Sequence, residues 1–202
     1  MSPPSVVVAV LAAGASRRLG RPKQLVPIGG EPLLRRQCRC AVAAGIGDVV
    51  AVLGCNAEQC SRLIGDLPVE VRVNGRWAEG QAASLGCAVR AARSRGAALL
   101  VLPCDQYRVV SEDLRALYEM WVRWPDRACI SRDGGYAGPP AILPIQYHDD
   151  LLGLRGDVGA RAVLFPSPAA APAEFCYPRA SFDLDSPDDA RIAEAWAEQS
   201  GN

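Results

Sequence analysis

The sequence predicts an α/β fold with a mainly parallel, doubly wound sheet, and three observations carry that expectation. Apolar runs alternate with helix-like patterns along the chain, the order expected of strand–helix units. The runs are continuous β-branched or leucine stretches rather than alternating ones, the mark of strands covered on both faces. Of the 202 residues 50% are apolar, enough for a sizeable core in one domain, so a single unit over residues 1–202 is expected.

In chain order, strands are expected at Val6–Leu11, Asp48–Leu53, Val69–Val73 and Ala98–Pro103. Helices are expected at Leu33–Ala44, Glu58–Ile64, Gln81–Arg95 and Glu112–Trp124. The second half is less regular. It suggests short strands near Ala128–Ser131, Ala141–Leu143, Glu174–Tyr177 and Ser181–Leu184, with helices near Ala160–Leu164 and Asp188–Gln199. A Pro/Ala-rich loop covers 166–173. Ser186-Pro187-Asp188-Asp189 suits the start of the last helix: serine caps it, proline takes the first turn, and the acids face its positive end.

Composition excludes several classes. Lys+Arg and Asp+Glu balance at 22 each, so no overall excess attracts nucleic acid and any anion site is local. No apolar run approaches the roughly 18–20 residues of a membrane span. Residues 5–15 lack a preceding positive charge and are followed by two arginines, the wrong order for a secretion signal. The eight cysteines lack paired C-x2-C spacing, and the single histidine, His148, has no ligand-like neighbours, which argues against structural zinc. The cysteines read as small buried apolar residues of a reducing, cytoplasmic protein.

In sheets of this kind ligands bind beyond the carboxyl ends of the strands, so the segments that follow strands carry the chemistry. After the first strand, Ala12, Ala13 and Gly14 leave no side-chain bulk, and backbone N–H groups can approach a phosphate. That loop ends on Lys23, the single lysine among 22 basic residues; an ammonium is a compact point charge, unlike the planar guanidinium fork. Arg18 adds charge, and spacing favours it over Arg17. The loop is neither a Walker A nor a G-x-G-x-x-G motif, which leaves a dinucleotide-dependent oxidoreductase without its fingerprint. After the fourth strand, Asp105 is placed to hold Mg²⁺ against ligand phosphates. Asp183 and Asp185 alternate in an expected strand and so share a face; either can complete a metal site with Asp105, while Asp185 can instead cap the last helix. Gly80, Gln81 and Ser84 open a helix where a flat base can lie against backbone. Gly138-Pro139-Pro140-Ala141 and Leu154–Arg161 are two further loops, the second with two arginines that suit an anionic second substrate.

Together these residues resemble the nucleotidyltransferases that act on the molybdenum cofactor, most of all the cytidylyltransferases among them (MobA/MocA-like NTP transferases). The matching motifs are L-A-A-G-x-S-x-R-x-G-x-P-K at Leu11–Lys23, N-x-x-W-x-x-G-x-x-x-S-L at 74–85, P-C-D-Q at 103–106, G-x-P-A at 138–141, G-D-x-G-A-R at 156–161 and D-x-D-S-P-x-D at 183–189. The resemblance implies a Rossmann-like nucleotidyltransferase (GT-A-like) fold, three-layered α/β/α with a mixed, mainly parallel sheet. It implies Mg²⁺, with Mn²⁺ as the alternative ion. It assigns nucleotide contacts to Leu11, Ala12, Ala13, Gly14, Ala15, Ser16, Lys23, Gly80, Gln81, Ser84, Pro103 and Asp105. Catalytic charge falls to Arg18, Lys23 and Asp105, and metal ligation to Asp105 with Asp183 or Asp185. The pterin substrate is expected at Gly138, Pro140, Gly156, Asp157, Gly159 and Arg161. The implied reaction joins CMP from CTP to the terminal phosphate of molybdopterin. The implied recipient is a molybdoenzyme of the xanthine dehydrogenase type. GTP or another NTP, or a non-catalytic cofactor-binding or insertion role, are the alternatives. Tyr107 stands where the resemblance expects proline, a change expected to bear on the loop beside the metal and on base choice.

Overall fold

The computed structural model describes residues 3–164, 172–176 and 181–200. Strand β1 (Val6–Ala12) leads through a 3-10 turn (Lys23–Leu25) and a small ribbon, β2 (Pro27–Ile28) and β3 (Glu31–Pro32), into α1 (Leu33–Ala44). Next come β4 (Asp48–Leu53), α2 (Ala57–Leu63), β5 (Val69–Val73), a 3-10 turn (Trp77–Glu79), α3 (Gln81–Arg93), β6 (Ala98–Pro103) and α4 (Ser111–Trp121). The chain continues with β7 (Cys129–Asp133), β8 (Tyr136–Leu143), a 3-10 turn (Ile145–Tyr147), α5 (His148–Gly153), α6 (Arg161–Leu164), β9 (Ala173–Cys176) and α7 (Pro187–Ser200).

Seven strands form one sheet in the order β5-β4-β1-β6-β8-β7-β9. Strands β5, β4, β1 and β6 are mutually parallel, β8 is antiparallel to both β6 and β7, and β9 is parallel to β7. The buried β1 shows why the sheet needs cover on both sides. Val6, Val8 and Val10 face a cluster with Leu34 and Cys38 of α1 and Leu114, Leu117 and Trp121 of α4. Val7 and Ala9 face the opposite cluster, with Leu85 and Val89 of α3 and Leu151 of α5. Successive strand residues point to opposite faces, so an unbroken valine run demands helices on both, and the result is the three-layer, mainly parallel mixed sheet that the sequence predicts.

The second half departs from expectation in three places. Gly138-Pro139-Pro140-Ala141, read as a loop, lies inside β8. Prolines cannot donate to a ladder and are tolerated at bulges. Here the register jumps at Ile130/Ser131, from a partner at Ala141 to one at Gly138, which leaves the two prolines at the irregularity. The Ser181–Leu184 strand reduces to a single bridge, Asp183 with Gln106; the cap of α7 begins too soon after it for more pairing. The short α5 was not foreseen. Two expectations, the end of the third short strand at Tyr177 and most of the 166–173 loop, lie outside the described residues.

Cys38, Cys60, Cys104 and Cys129 are in the core and Cys40 and Cys87 pack against it, whereas Cys55 is half-buried and Cys176 exposed. Burial pushes the thiols of Cys38 and Cys129 up to about 12. Among the described residues, no helix is long and apolar enough to cross a membrane.

Leu100, fully buried on β6 between Val8 and Ile142 of its neighbours, measures the central core. Leu100→Ala is expected to cost about 2–5 kcal/mol in urea unfolding; a loss below about 1 kcal/mol would mean that this part of the sheet repacks freely.

Candidate active site

The carboxyl ends of β1 and β6 open onto a cleft of about 820 Å³, within the range of small-molecule sites. Its floor is the first loop, which is closed on itself. Gln24, fully buried, donates from Nε2 to the carbonyls of Ala12 at 2.8 Å and Gly14 at 2.9 Å. The N–H of Lys23 donates to Ser16 Oγ at 3.0 Å, and those of Leu19 and Gly20 donate to the Ser16 carbonyl. Ser16 sits at φ 54°, a strained value for a residue with a side chain. Gly54 holds the loop from behind: a Cβ there would lie 2.7 Å from the Ala13 carbonyl and 2.6 Å from Trp77 Cβ.

Charge is concentrated where three segments meet. Lys23 Nζ donates to Asp105 Oδ2 at 2.6 Å and to Asp185 Oδ1 at 2.9 Å. Arg18 reaches the other oxygen of Asp185 at 2.7 Å. The Lys23 side chain is only 16% exposed. Burial by itself would depress its pKa, but the two carboxylates outweigh it and the net shift is upward. Asp183 lines the same cleft. Burial first, then the charges of Asp105 and Asp185, raise its carboxyl to about 6.

Backbone pairing brings these acids together. Leu184 donates its N–H to the Asp105 carbonyl at 3.0 Å, beside the Asp183–Gln106 bridge. The Leu184 side chain is fully buried, which leaves its neighbours Asp183 and Asp185 to line the cleft. They share a face as expected, yet because of this anchor rather than a strand. Asp185 does not cap α7. That cap is Ser186 with Asp189, whose carboxylate accepts the N–H groups of Asp185 and Ser186 at 3.1 and 2.8 Å.

The far wall joins two segments that the sequence leaves separate. Gly80, at φ 108°, lies so close to Gly156 that a Cβ would meet its carbonyl oxygen at 2.5 Å. Ala82 donates its N–H to that same oxygen at 3.1 Å. A Cβ on Gly159 would strike Gln81 Oε1 at 2.5 Å. Ser84 accepts a hydrogen bond from buried Asn74 at 3.0 Å. Arg161 donates to the Ala137 carbonyl at 3.1 Å.

All the residues expected at the nucleotide line this cleft, from Leu11 to Ser16, with Lys23, Gly80, Gln81, Ser84, Pro103 and Asp105. So do Arg17 and Arg18. Of those expected at the second substrate, Asp157, Gly159 and Arg161 line it; Gly138, Pro140 and Gly156 do not. Gly156 packs behind Gly80, and Gly138 and Pro140 belong to β8, where Pro139 rather than Pro140 reaches the cleft. Tyr107 departs furthest from expectation. Only 2% exposed, it points into the core edge-on to Trp196 of α7, with ring centroids 5.7 Å apart, so its side chain does not face a ligand. Gln24, Gln106 and Tyr136 were missed. Gln106 donates to the Tyr136 hydroxyl at 3.0 Å and to the Pro139 carbonyl at 2.9 Å. For the two glutamines, the available signal was their place directly after two of the three proposed catalytic residues, in Lys23-Gln24 and Asp105-Gln106.

Comparison with known proteins identifies the family and the fold. The model of the MobA-like NTP transferase domain matches residues 8–171, and the chain belongs to that family. Purine catabolism protein PucB of Bacillus subtilis (strain 168) is 29% identical over 174 residues, 81% of this chain and 82% of that protein. Nicotine blue oxidoreductase of Paenarthrobacter nicotinovorans is 35% identical over 100 residues, and the match spans about half, 49%, of each chain. Among solved structures, Rv0371c of Mycobacterium tuberculosis H37Rv has a TM-score of 0.82 at 26% identity, over 96% of this chain and 100% of that one. A structure of Rv0371c complexed with manganese has a TM-score of 0.78 at 22% identity, over 96% of this chain and 100% of that one.

The raised Asp183 pKa sets a pH dependence for the metal-free protein. A carboxyl raised in the folded state favours folding below its unfolded pKa, and that contribution is lost as pH rises through the folded value of about 6. Asp183→Asn, which mimics the protonated acid, is expected to melt higher than wild type at pH 7.5 in EDTA and to match it near pH 4. Parallel melting curves for the two proteins across that window would show that Asp183 is not crowded by its neighbours.

Proposed function

We propose that this protein joins CMP from CTP to the terminal phosphate of molybdopterin, with release of pyrophosphate. The observation that carries the reading is the single lysine, held between Asp105 and Asp185 at the carboxyl ends of β1 and β6. The attacking phosphate is already anionic, so no side-chain nucleophile is required, and catalysis consists of positioning and charge neutralisation. Lys23 and Arg18 neutralise charge that develops toward pyrophosphate. The backbone of Ala12 to Ser16 cradles the triphosphate, and Gly80, Gln81 and Ser84 meet the base. Asp157, Gly159 and Arg161 face the pterin.

Among the described residues, no group of three histidine, cysteine, aspartate or glutamate side chains is arranged as it stands to hold an ion. The donor set nevertheless fits a hard divalent cation, because three carboxylates, Asp105, Asp183 and Asp185, line the cleft and oxygen donors of this kind suit such an ion. Mg²⁺, or Mn²⁺ as in the Rv0371c complex, would be held by Asp105 with Asp183 or Asp185. When bound, such an ion supplies Lewis-acid charge neutralisation across the phosphates. The product would serve a molybdoenzyme of the xanthine dehydrogenase type, in the cytoplasm.

A second reading draws on the name nicotine blue oxidoreductase carried by one relative. An oxidoreductase would turn over without any NTP, and the G-x-G-x-x-G fingerprint that a dinucleotide-dependent one would carry is missing from the first loop. Pyrophosphate release measured with each of four NTPs, with and without molybdopterin, separates the readings. CTP with molybdopterin is expected to give the fastest release; GTP as the preferred nucleotide would transfer the site to guanylyl transfer, and release with none would remove the enzyme reading. In the productive assay, Lys23→Ala and Asp105→Ala are each expected to lower kcat by about 10²-fold or more. Turnover near wild type in either variant would take that residue out of the catalytic set.

A further inference from the structure

Beneath the acidic cluster lies a group that the proposed chemistry does not use. Arg108 follows Asp105 by three residues, and its guanidinium carbon sits 3.6 Å from the centroid of the Phe182 ring. Tyr107 and Trp196 present their rings at 5.6 and 5.7 Å. Arg108 Nε is buried and makes no hydrogen bond among the described residues. No carboxylate pairs with this arginine among them; aromatic faces take the charge instead.

Phe182 immediately precedes Asp183. The segment that carries Asp183 and Asp185 is not part of a strand; one bridge and the Leu184 amide tie it to the Asp105 loop. We infer that Arg108 is a positioning residue, whose stacking on Phe182 clamps the Asp183–Asp185 segment against the Asp105 loop and so sets the spacing of the carboxylates. The arginine suits that task because its planar cation stacks on rings. A carboxylate partner would add a fourth acid to a crowded cluster, and an aromatic partner does not. Trp196 extends the clamp to α7, where the Arg36 guanidinium carbon also lies 5.3 Å from the same ring.

The inference rests on the proposed cation site for one of its two readouts and is independent of it for the other. The first readout is amide hydrogen exchange at Leu184, whose N–H bonds the Asp105 carbonyl. Arg108→Gln and, as a second variant should the first fold poorly, Phe182→Leu are each expected to speed this exchange about 5–10-fold, the scale of one lost cation–π contact. The second readout is Mn²⁺ binding in the presence of CTP, followed by electron paramagnetic resonance and expected to weaken by a similar factor. Arg108→Lys keeps a cation and is expected to restore part of both. Leu117→Ala, a core change in α4, controls for general loss of stability; it should lower the melting temperature while leaving Leu184 exchange within about twofold of wild type. Unchanged Leu184 exchange in Arg108→Gln and Phe182→Leu would overturn the inference. So would an equal rise in Leu117→Ala. Faster exchange in a protein that binds no Mn²⁺ at all would keep the clamp and count against the cation site.

Discussion

The cleft depends on one ammonium. Lys23 draws together carboxylates that lie 82 and 162 residues away along the chain, and with them three segments that share no regular element. Without that cation, Arg18 would be left, among the described residues, as the cation in ion-pair contact with the Asp105, Asp183 and Asp185 cluster. Like charges at such range repel in a partly buried setting, and Asp183 is raised first by burial and then by the charges of Asp105 and Asp185. Lys23 and Arg18 pair with Asp105 and Asp185, whereas Asp183 stays crowded. On the proposed reading, Lys23 and Arg18 would turn from the carboxylates to phosphate oxygens, and Asp105 with Asp183 or Asp185 would hold a divalent ion that neutralises part of the triphosphate charge.

Around that centre the scaffold is stiff in places that matter for ligand geometry. Gln24 uses both amide hydrogens to fix the first loop. The contacts of Gly54 with Ala13 and of Gly80 with Gly156 leave no room for a β-carbon. These are packing demands, unlike Gly14, whose missing side chain would meet nothing within 4 Å and opens only onto the cleft. At Gly14, beside the proposed phosphate path, packing within the protein does not itself require a glycine.

Much of this was legible in the residues, for identifiable reasons. Strands β4 and β6 are filled with apolar residues and β5 alternates valine with charge; all three are bounded by turn residues and appear as expected. The first loop and Asp105 could be placed because a doubly wound sheet puts functional groups after its strands. The hidden part was tertiary. Nothing local indicates that Asp105 and Asp185 share a lysine, since that contact exists only once the sheet is assembled. Tyr107, where the resemblance expects proline, was expected to bear on the loop beside the metal, but its ring is buried against Trp196. The Pro139-Pro140 pair read as a loop because proline breaks ladders; a bulge in β8 accommodates it. The Asp183–Asp185 alternation indicated the correct face by an incorrect route, because Leu184 rather than a ladder sets the direction.

The lone lysine makes the central claim measurable. With a single Lys in the chain, protein labelled with ¹⁵N-lysine gives one side-chain nitrogen resonance, free of overlap. The account predicts that in the free protein this ammonium titrates above the ordinary lysine value of 10.5. It also predicts that the signal shifts on adding a non-hydrolysable CTP analogue with Mg²⁺, and that Asp105→Asn lowers the titration midpoint. A lysine that titrates at or below the ordinary value, and whose signal ignores both nucleotide and Asp105, would contradict it.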